Sequence, residues 1–428
     1  MTATDPLDML HALPRYAGTD DSSYKPGLDR MHALIEALTI PVDSLPTLHI
    51  AGTNGKGSTA AMSAAIAQAA GHRVGLHTSP HLWSVTERMR IDGAPIPEDT
   101  LRSMVSDAQP AFERIAPSFF EATLALSLQY FTRENVDLAV VEVGLGGRLD
   151  ATNIVHAEVA IITSIALEHT ALLGDTHAAI AREKGGIIRP DQPVVTGPLP
   201  SEAEAAIQEL VRAQHAQLHP TARTTRWHDV QPSSGDTLIT PRACYTNLDL
   251  DLTGAHQKEN AACAVRALEL HPHVRLTSDA VARGLSAVRA YAGLHGRMER
   301  LGTHPPIWID VAHNPAGLEA ACASLPSCPG RCIVALGVMQ DKPLGELLDV
   351  LKSHRVDAVW PVEVDTDRAL PGGHLAHALA DYGWPAQPPA SLADHIAAFE
   401  RGASPEDMLF IVGSHYTIAE LPARIRPA

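Results

Sequence analysis

The stretch Leu48-His49-Ile50-Ala51-Gly52-Thr53-Asn54-Gly55-Lys56-Gly57-Ser58-Thr59 constrains this chain more than any other. A short apolar run passes through a glycine-rich turn into an alanine-rich segment. The pattern predicts a strand over 48–51 and a helix from about 58 to 70, closed by Gly71. Glycines in such a turn let backbone N–H groups point inward around phosphate oxygens, and the helix adds its positive end. Thr53, Asn54, Gly55, Lys56, Gly57 and Ser58 are therefore candidate phosphate-binding residues. Lys56 would be a point charge for the outer phosphates and the Ser58 hydroxyl a Mg²⁺ ligand. The usual motif ends in Lys followed directly by Ser or Thr; here Gly57 stands between Lys56 and Ser58.

The rest of the chain fits a fold built around that loop. Apolar runs at 48–51, 74–76, 136–143 and 159–165 alternate with helical stretches, the mark of an α/β architecture with a mostly parallel sheet. A second alternating series has strands expected at 307–311, 332–336, 358–364 and 408–412. The Gly-flanked segment 291–296 reads as the hinge. This gives an N-terminal P-loop-type domain over 1–296 and a smaller Rossmann-like α/β domain over 297–428. The polar segment 198–241, with one helical patch at 202–214, is expected at the periphery of the first domain.

Composition narrows the partners. Thirty-three basic against 49 acidic residues leave a formal charge of −16, a poor basis for gripping nucleic acid through its phosphates. The five cysteines are odd in number and form no CxxC pair, so neither a disulfide framework nor a zinc site is expected. No apolar run approaches the ~18 residues of a membrane span, and the first residues lack a basic-then-apolar leader. The expectation is a cytoplasmic globular protein, and a monomer, since no heptad or apolar stripe suggests assembly.

Ligands of open α/β sheets gather beyond the carboxyl ends of the strands. There the sequence places Ser79-Pro80-His81, Glu142 before Gly144-Leu145-Gly146-Gly147-Arg148-Leu149-Asp150, Glu168-His169, and Arg182-Glu183-Lys184. Oxygen and imidazole groups beside a phosphate loop suit nucleotide-bound Mg²⁺. Taken singly, a strand-end glutamate is as consistent with a salt bridge, and a histidine with a satisfied core position. In the second series Asp310-Val311-Ala312-His313-Asn314 and Gly413-Ser414-His415 occupy the same kind of position, with Arg297 at the hinge.

Together the strings 52–58, 78–82, 87–91, 142–153 and 310–315 resemble the dihydrofolate synthase/folylpolyglutamate synthase family, a branch of the Mur-ligase-like amide ligases. The resemblance runs from about residue 25 to about 416, and Gly57 is the form this branch uses. It implies ATP-dependent ligation of L-glutamate to the carboxylate of dihydropteroate and to the glutamate tail of reduced folates, through an acyl phosphate. It further implies a two-ion Mg²⁺ site, with Ser79 and Glu142 on one ion and Glu142, His169 and Lys184 on the other, Lys184 being N6-carboxylated. Lys56, His169 and Lys184 would carry the chemistry, and Asn260, Arg297, Asp310 and His313 would contact the nucleotide. Dihydropteroate would meet Tyr24, Lys25, Pro26, Ser118, Phe119, Phe120, Glu121, Leu149, Asp150 and Ala151, the phenylalanines stacking on the pterin and Glu121 accepting its N–H groups. One departure is Glu168, where the family more often has Asp.

Three other readings remain at this point. One is an enzyme with only one of the two activities. Another is a cell-wall amino-acid ligase, which would place a sugar-nucleotide domain before the loop, where this chain has only about fifty residues. The third is a nucleotide-binding regulator with degenerate chemistry, which predicts loss of Ser79, Glu142, His169 or Lys184; all four are present.

Overall fold

The structure, a computed structural model, describes residues 5–15, 27–228, 235–302 and 304–427. The chain divides into two compact units: Met1–Asp251 with Gln257–Leu294, and Leu252–His256 with His295–Ala428.

The first unit is built on an eight-stranded sheet. Its strands are β1 Thr47–Ala51, β2 Val74–His77, β3 Met89–Ile91, β4 Ala94–Pro95, β5 Leu138–Glu142, β6 Val159–Ile162, β7 Pro193–Thr196 and β8 Gln217–Pro220. The order is β4-β3-β2-β5-β1-β6-β7-β8. From β2 to β8 every pairing is parallel; β3 and β4 add an antiparallel edge. The central strands β1, β5 and β6 are buried along their whole length, which is why their sequences read as apolar runs rather than alternating ones. The helix Lys56–Ala69 packs on this sheet as a buried run of small residues. Gly71, at φ +95°, lies just past the last turn, and Gln68 Nε2 donates to the Tyr291 carbonyl, 223 positions away, at 2.9 Å.

Strands β3, β4 and β7 of this sheet went unforeseen, and so did four more strands of the first unit after residue 198. The segment expected to be merely peripheral supplies β8 at the sheet edge. It also starts a three-stranded antiparallel sheet of β9 Arg226–His228, β10 Asp236–Ile239 and β11 Cys244–Leu248. That sheet is tied to the helix Ala255–Leu270 through Glu269, which accepts from Thr240 Oγ1 at 2.6 Å, Tyr245 Oη at 2.9 Å and Arg266 Nη1 at 2.8 Å. The helix that will bring Asn260 to the phosphate loop is thus anchored at its far end.

The second unit has a five-stranded sheet of β12 Glu299–Leu301, β13 Ile307–Ile309, β14 Cys332–Leu336, β15 Ala358–Pro361 and β16 Met408–Val412, ordered β12-β13-β16-β14-β15. Only the β12–β13 pairing is antiparallel. Its core gathers Val334, Leu336, Leu348, Leu351, Leu375 and Phe410 from strands and covering helices. Among the described residues no helix is long and apolar enough to cross a membrane.

Candidate active site

The loop between β1 and the helix Lys56–Ala69 is held by the segment that follows β6. Thr53 N donates to the Ser164 carbonyl at 2.8 Å, and Asn54 N to Ser164 Oγ at 3.0 Å. The Asn54 carbonyl accepts from Thr163 Oγ1 at 2.6 Å and Ser164 Oγ at 3.0 Å. Thr163 and Ser164 were not foreseen as loop residues; their position just past an apolar strand was the available signal. Two glycines are required here. A Cβ on Gly52, at φ +150°, would stand 1.9 Å from Thr163 Oγ1; one on Gly55, at φ +83°, would stand 2.3 Å from Asn260 Oδ1. Asn260 is buried, and its Nδ2 donates to Gln257 Oε1 at 2.9 Å. The loop and Asn260 are therefore brought together. Ser58 is buried in the first turn of the helix.

Two amines converge on one carbonyl. Lys56 Nζ donates to the Gly52 carbonyl at 3.1 Å and the Thr53 carbonyl at 3.0 Å. Lys184 Nζ, from the last turn of the helix His177–Gly185, donates to the same Gly52 carbonyl at 2.8 Å. Lys184 is 4% exposed. Burial, and then the charge of Lys56, pull its pKa down to about 7 against the opposing pull of Glu168 and Asp150. Two cationic groups beside one turn suit an anionic ligand.

Glu142 ends β5 almost fully buried, and its Oε2 accepts from Ser79 N at 2.9 Å, so these two expected metal ligands are neighbours. His169 is exposed, in a left-handed conformation before the one-turn helix Thr170–Leu173. Among the described residues no three His, Cys, Asp or Glu side chains form a metal-binding group. The protein side of this site is thus one carboxylate beside Ser79. That fits Mg²⁺, which keeps several waters and shares phosphate oxygens, better than a metal held in an all-protein cage.

The loop after β5 is braced from within. Asp150 accepts from Leu145 N at 2.8 Å and Thr152 N at 2.9 Å and caps the short 3₁₀ turn Ala151–Ile154. Burial pushes its carboxyl up against those bonds. Leu149 is half-buried and Ala151 buried. Beside this loop, at the start of the helix Phe119–Arg133, the half-buried Phe120 packs on Gly144 and sets its ring edge-on to His77, centroids 5.9 Å apart. Burial, then Arg88, lower the His77 pKa to about 3.

Two of the residues expected at the pterin are engaged within the protein. Glu121 is the first. It is buried, closes a capping box with Ser118 by accepting from Ser118 N at 2.7 Å and Ser118 Oγ at 2.8 Å, and pairs with Arg30 Nη2 at 3.0 Å. Phe119, 4% exposed, is enclosed by His11, His81, Arg15 and Arg88, the two guanidiniums lying 4.6 and 5.1 Å from its ring centre. Of the adjacent pair, Phe120 is the half-buried one. Tyr24, Lys25 and Pro26 lie outside the described residues.

The second unit has its own polar cluster at strand ends. Asp310, buried just past β13, accepts from Met298 N at 2.8 Å and Ala312 N at 2.7 Å. Its carboxyl is pushed up by burial and drawn back by Arg297. His256, missed by the sequence reading, is lowered by burial and then by the same Arg297. His313 Nδ1 is 3.0 Å from the Val311 carbonyl, and its ring lies 5.9 Å from that of His415.

A phosphate loop opening a parallel sheet, two lysines turned onto it, a buried strand-end glutamate and a second α/β unit define a nucleotide-dependent ligase of the Mur type. The Mur ligase middle domain model matches residues 50–268, and the Mur ligase glutamate ligase domain model matches 296–415. The dihydrofolate synthase/folylpolyglutamate synthase of Bacillus subtilis is 31% identical over 94% of this chain and 95% of its own length. That of Mycobacterium tuberculosis is 36% identical over 83% and 78%. In larger relatives from Haloferax volcanii and Halobacterium salinarum the chain spans only 48% and 49% of the length. Among solved structures, E. coli FolC in complex with DHPP and ADP superposes with a TM-score of 0.86 at 30% identity, covering 98% of this chain and 97% of that one. A bifunctional folylpolyglutamate synthase/dihydrofolate synthase with Mn, AMPPNP and L-glutamate bound gives 0.85 at 31%, covering 98% and 96%. The chain belongs to the dihydrofolate synthase/folylpolyglutamate synthase family of Mur-type ligases. It is an ATP-dependent acid–amino-acid ligase.

Proposed function

We propose that this chain joins L-glutamate to the carboxylate of dihydropteroate, giving dihydrofolate, and to the glutamate tail of reduced folates, with ADP and phosphate as products. The observation that carries the reading is the pair of lysines, Lys56 and Lys184, directed at one carbonyl of the phosphate loop. A carboxylate is a poor electrophile because oxide is a poor leaving group, whereas phosphate leaves readily. In the first step a substrate carboxylate oxygen attacks the γ-phosphorus, and the bond from that phosphorus to the ADP oxygen breaks. The deprotonated amine of glutamate then attacks the acyl carbon, and the C–O bond to phosphate breaks as the amide forms.

The residues of this chain bind and neutralise; they form no covalent intermediate. Backbone N–H groups of 53–58 and the Lys56 ammonium hold the phosphates, with Asn260 closing the loop. Ser58, Ser79 and Glu142 would hold Mg²⁺, which supplies charge neutralisation on the transferring phosphoryl group. A second ion would draw on Glu142, His169 and an N6-carboxylated Lys184, since a carbamate offers the oxygen ligand that an ammonium lacks. Phe120, Leu149 and Ala151 would line the pterin. Residues 1–296 would supply these sites, and Arg297, Asp310 and His313 of 297–428 would contribute to nucleotide binding. The enzyme would work as a monomer in the cytoplasm.

The test is glutamate-dependent phosphate release from MgATP, run in parallel with dihydropteroate and tetrahydrofolate. Release with both is expected. Release with dihydropteroate alone reduces the activity to dihydrofolate synthesis, and silence with both in a folded, ATP-binding sample overturns the reading.

A further inference from the structure

Asn153 is buried in the 3₁₀ turn Ala151–Ile154, and nothing described so far uses it. Its amide is fully employed. Nδ2 donates to the Arg148 carbonyl at 3.0 Å and to the Gly186 carbonyl at 3.1 Å, and Oδ1 accepts from Arg189 Nη2 at 3.1 Å. A side-chain amide offers two protons and one carbonyl oxygen, and here each has a partner. Asp would lack both donors and Leu every polar atom, while Gln would carry the same amide one methylene too far out.

The two carbonyls belong to different parts of the chain. Arg148 lies in the loop after β5, next to Leu149, Asp150 and Ala151; Gly186 follows the helix His177–Gly185, two residues past Lys184. These parts meet closely. Arg148 N donates to the Glu183 carbonyl at 2.8 Å. A Cβ on Gly147 would stand 2.7 Å from the Lys184 carbonyl, and one on Gly186 would stand 2.3 Å from Arg148 Cβ. Lys184 in turn reaches the Gly52 carbonyl of the phosphate loop. The loop after β5 has a support of its own, since Asp150 binds Leu145 N and Thr152 N, and Thr152 Oγ1 is 2.9 Å from His49 Nε2. Without the Asn153 donors that loop keeps its brace, whereas the end of the Lys184 helix loses a bond that seats it there.

We propose that Asn153 is a positioning residue for the ligation: it sets where the last turn of the Lys184 helix rests on the loop 147–153, and so where the Lys184 amine meets the phosphate loop. It acts through Lys184 and not on a substrate. This rests on the ligase reading above, in which Lys184 takes part in phosphoryl transfer. A reacting arrangement displaced by about 1 Å can lose about 100-fold in rate. The loss should fall on kcat rather than on binding, because the Asp150 brace holds 149–151 and Ser164 holds the phosphate loop independently of Asn153.

Three substitutions separate this role from a structural one. Asn153→Asp keeps an oxygen for Arg189 and removes both donors. Measured well below the variant's own Tm, kcat for glutamate-dependent phosphate release with dihydropteroate is expected to fall about 10-fold, with KM for dihydropteroate, ATP and glutamate within about twofold of wild type. Arg189→Met removes the partner of Oδ1 and leaves both donors in place, so it should lower Tm with kcat held. Gly186→Ala leaves the amide intact and, at φ −63°, adds no backbone strain, but its methyl presses on Arg148 and should lower kcat as Asn153→Asp does. Wild-type kcat in Asn153→Asp, or in Gly186→Ala where Asn153→Asp fails to fold, overturns the positioning role. An equal fall of kcat in Arg189→Met overturns it too, since the amide would then matter through stability alone. A wild type that releases no phosphate overturns the ligase reading and this role with it.

Discussion

Gly55→Ala tests the construction of the phosphate loop in one atom. The new methyl would stand 2.3 Å from Asn260 Oδ1, on a residue held at φ +83°. Placing an L side chain in the left-handed region costs about 1–2 kcal/mol. Clearing the clash requires the Asn260 amide to move, giving up its bond to Gln257, worth about 0.5–1.5 kcal/mol. The sum is roughly 1.5–3.5 kcal/mol. At about 2 °C per kcal/mol for a unit of this size, Tm should fall by about 3–7 °C. Thermal and urea unfolding read the stability, and calorimetric titration reads ATP affinity, which should fall because Asn260 is displaced. Pairing the change with Asn260→Ala removes the obstructing amide but not the backbone strain. The double variant should therefore be more stable than the sum of the singles by about 1 kcal/mol, above the ~0.3–0.5 kcal/mol within which independent sites add. Strict additivity, or a Gly55→Ala protein with wild-type Tm and ATP affinity, would show that the loop does not close on Asn260.

Lys184→Ala should nearly abolish turnover while leaving a folded protein, with acetate or another short carboxylate restoring part of the rate; full activity would sink the carbamate assignment. Lys184 also sets a pH dependence. Its folded-state pKa is lowered to about 7 from the ordinary 10.5, so between these values the unfolded chain binds the extra proton. In protein without bound CO₂, stability should rise with pH across that window and lie flat below it; urea midpoints of Lys184→Met should lose the rise. Arg297→Ala should raise KM for ATP or lower kcat, and unchanged kinetics would make it an ordinary neighbour of Asp310. Glu121→Ala, which strands the buried cap of Ser118 and the Arg30 charge, should lower stability by about 2–4 kcal/mol in urea unfolding; a loss of pterin affinity at wild-type stability would refute that structural role and make Glu121 a ligand contact.

The phosphate loop was legible because local chemistry states it: glycine positions, a lysine and a helix start lie within a dozen residues. The strand-end position of Glu142 and Ser79 followed from the same pattern, since β5 and β2 are neighbours in a parallel sheet. Glu121 shows what local reading could have added. Ser118-x-x-Glu121 is itself a capping-box signature, although its partner Arg30, 91 positions away, is invisible to spacing. The strands β8 to β11 escaped because His, Thr, Pro and Arg dilute their apolar alternation, and their stability comes from pairing and from the Glu269 anchor rather than from their own composition. The convergence of Lys184 on Gly52 depends on the chain crossing the sheet between them, and only the assembled topology reveals it.

The helix that opens at the phosphate loop is held by Tyr291, 223 residues further along, and the loop itself by Asn260. In the order of synthesis this means the nucleotide site is finished late. At about 5–20 residues per second, a ribosome needs roughly 10–45 s between making Gln68 and making its partner. Through that interval β1 and its loop exist without the residues that close them. A nascent chain halted before Asn260 should therefore display the motif yet hold no ATP, and nucleotide can stabilise the fold only once nearly the whole first unit has emerged.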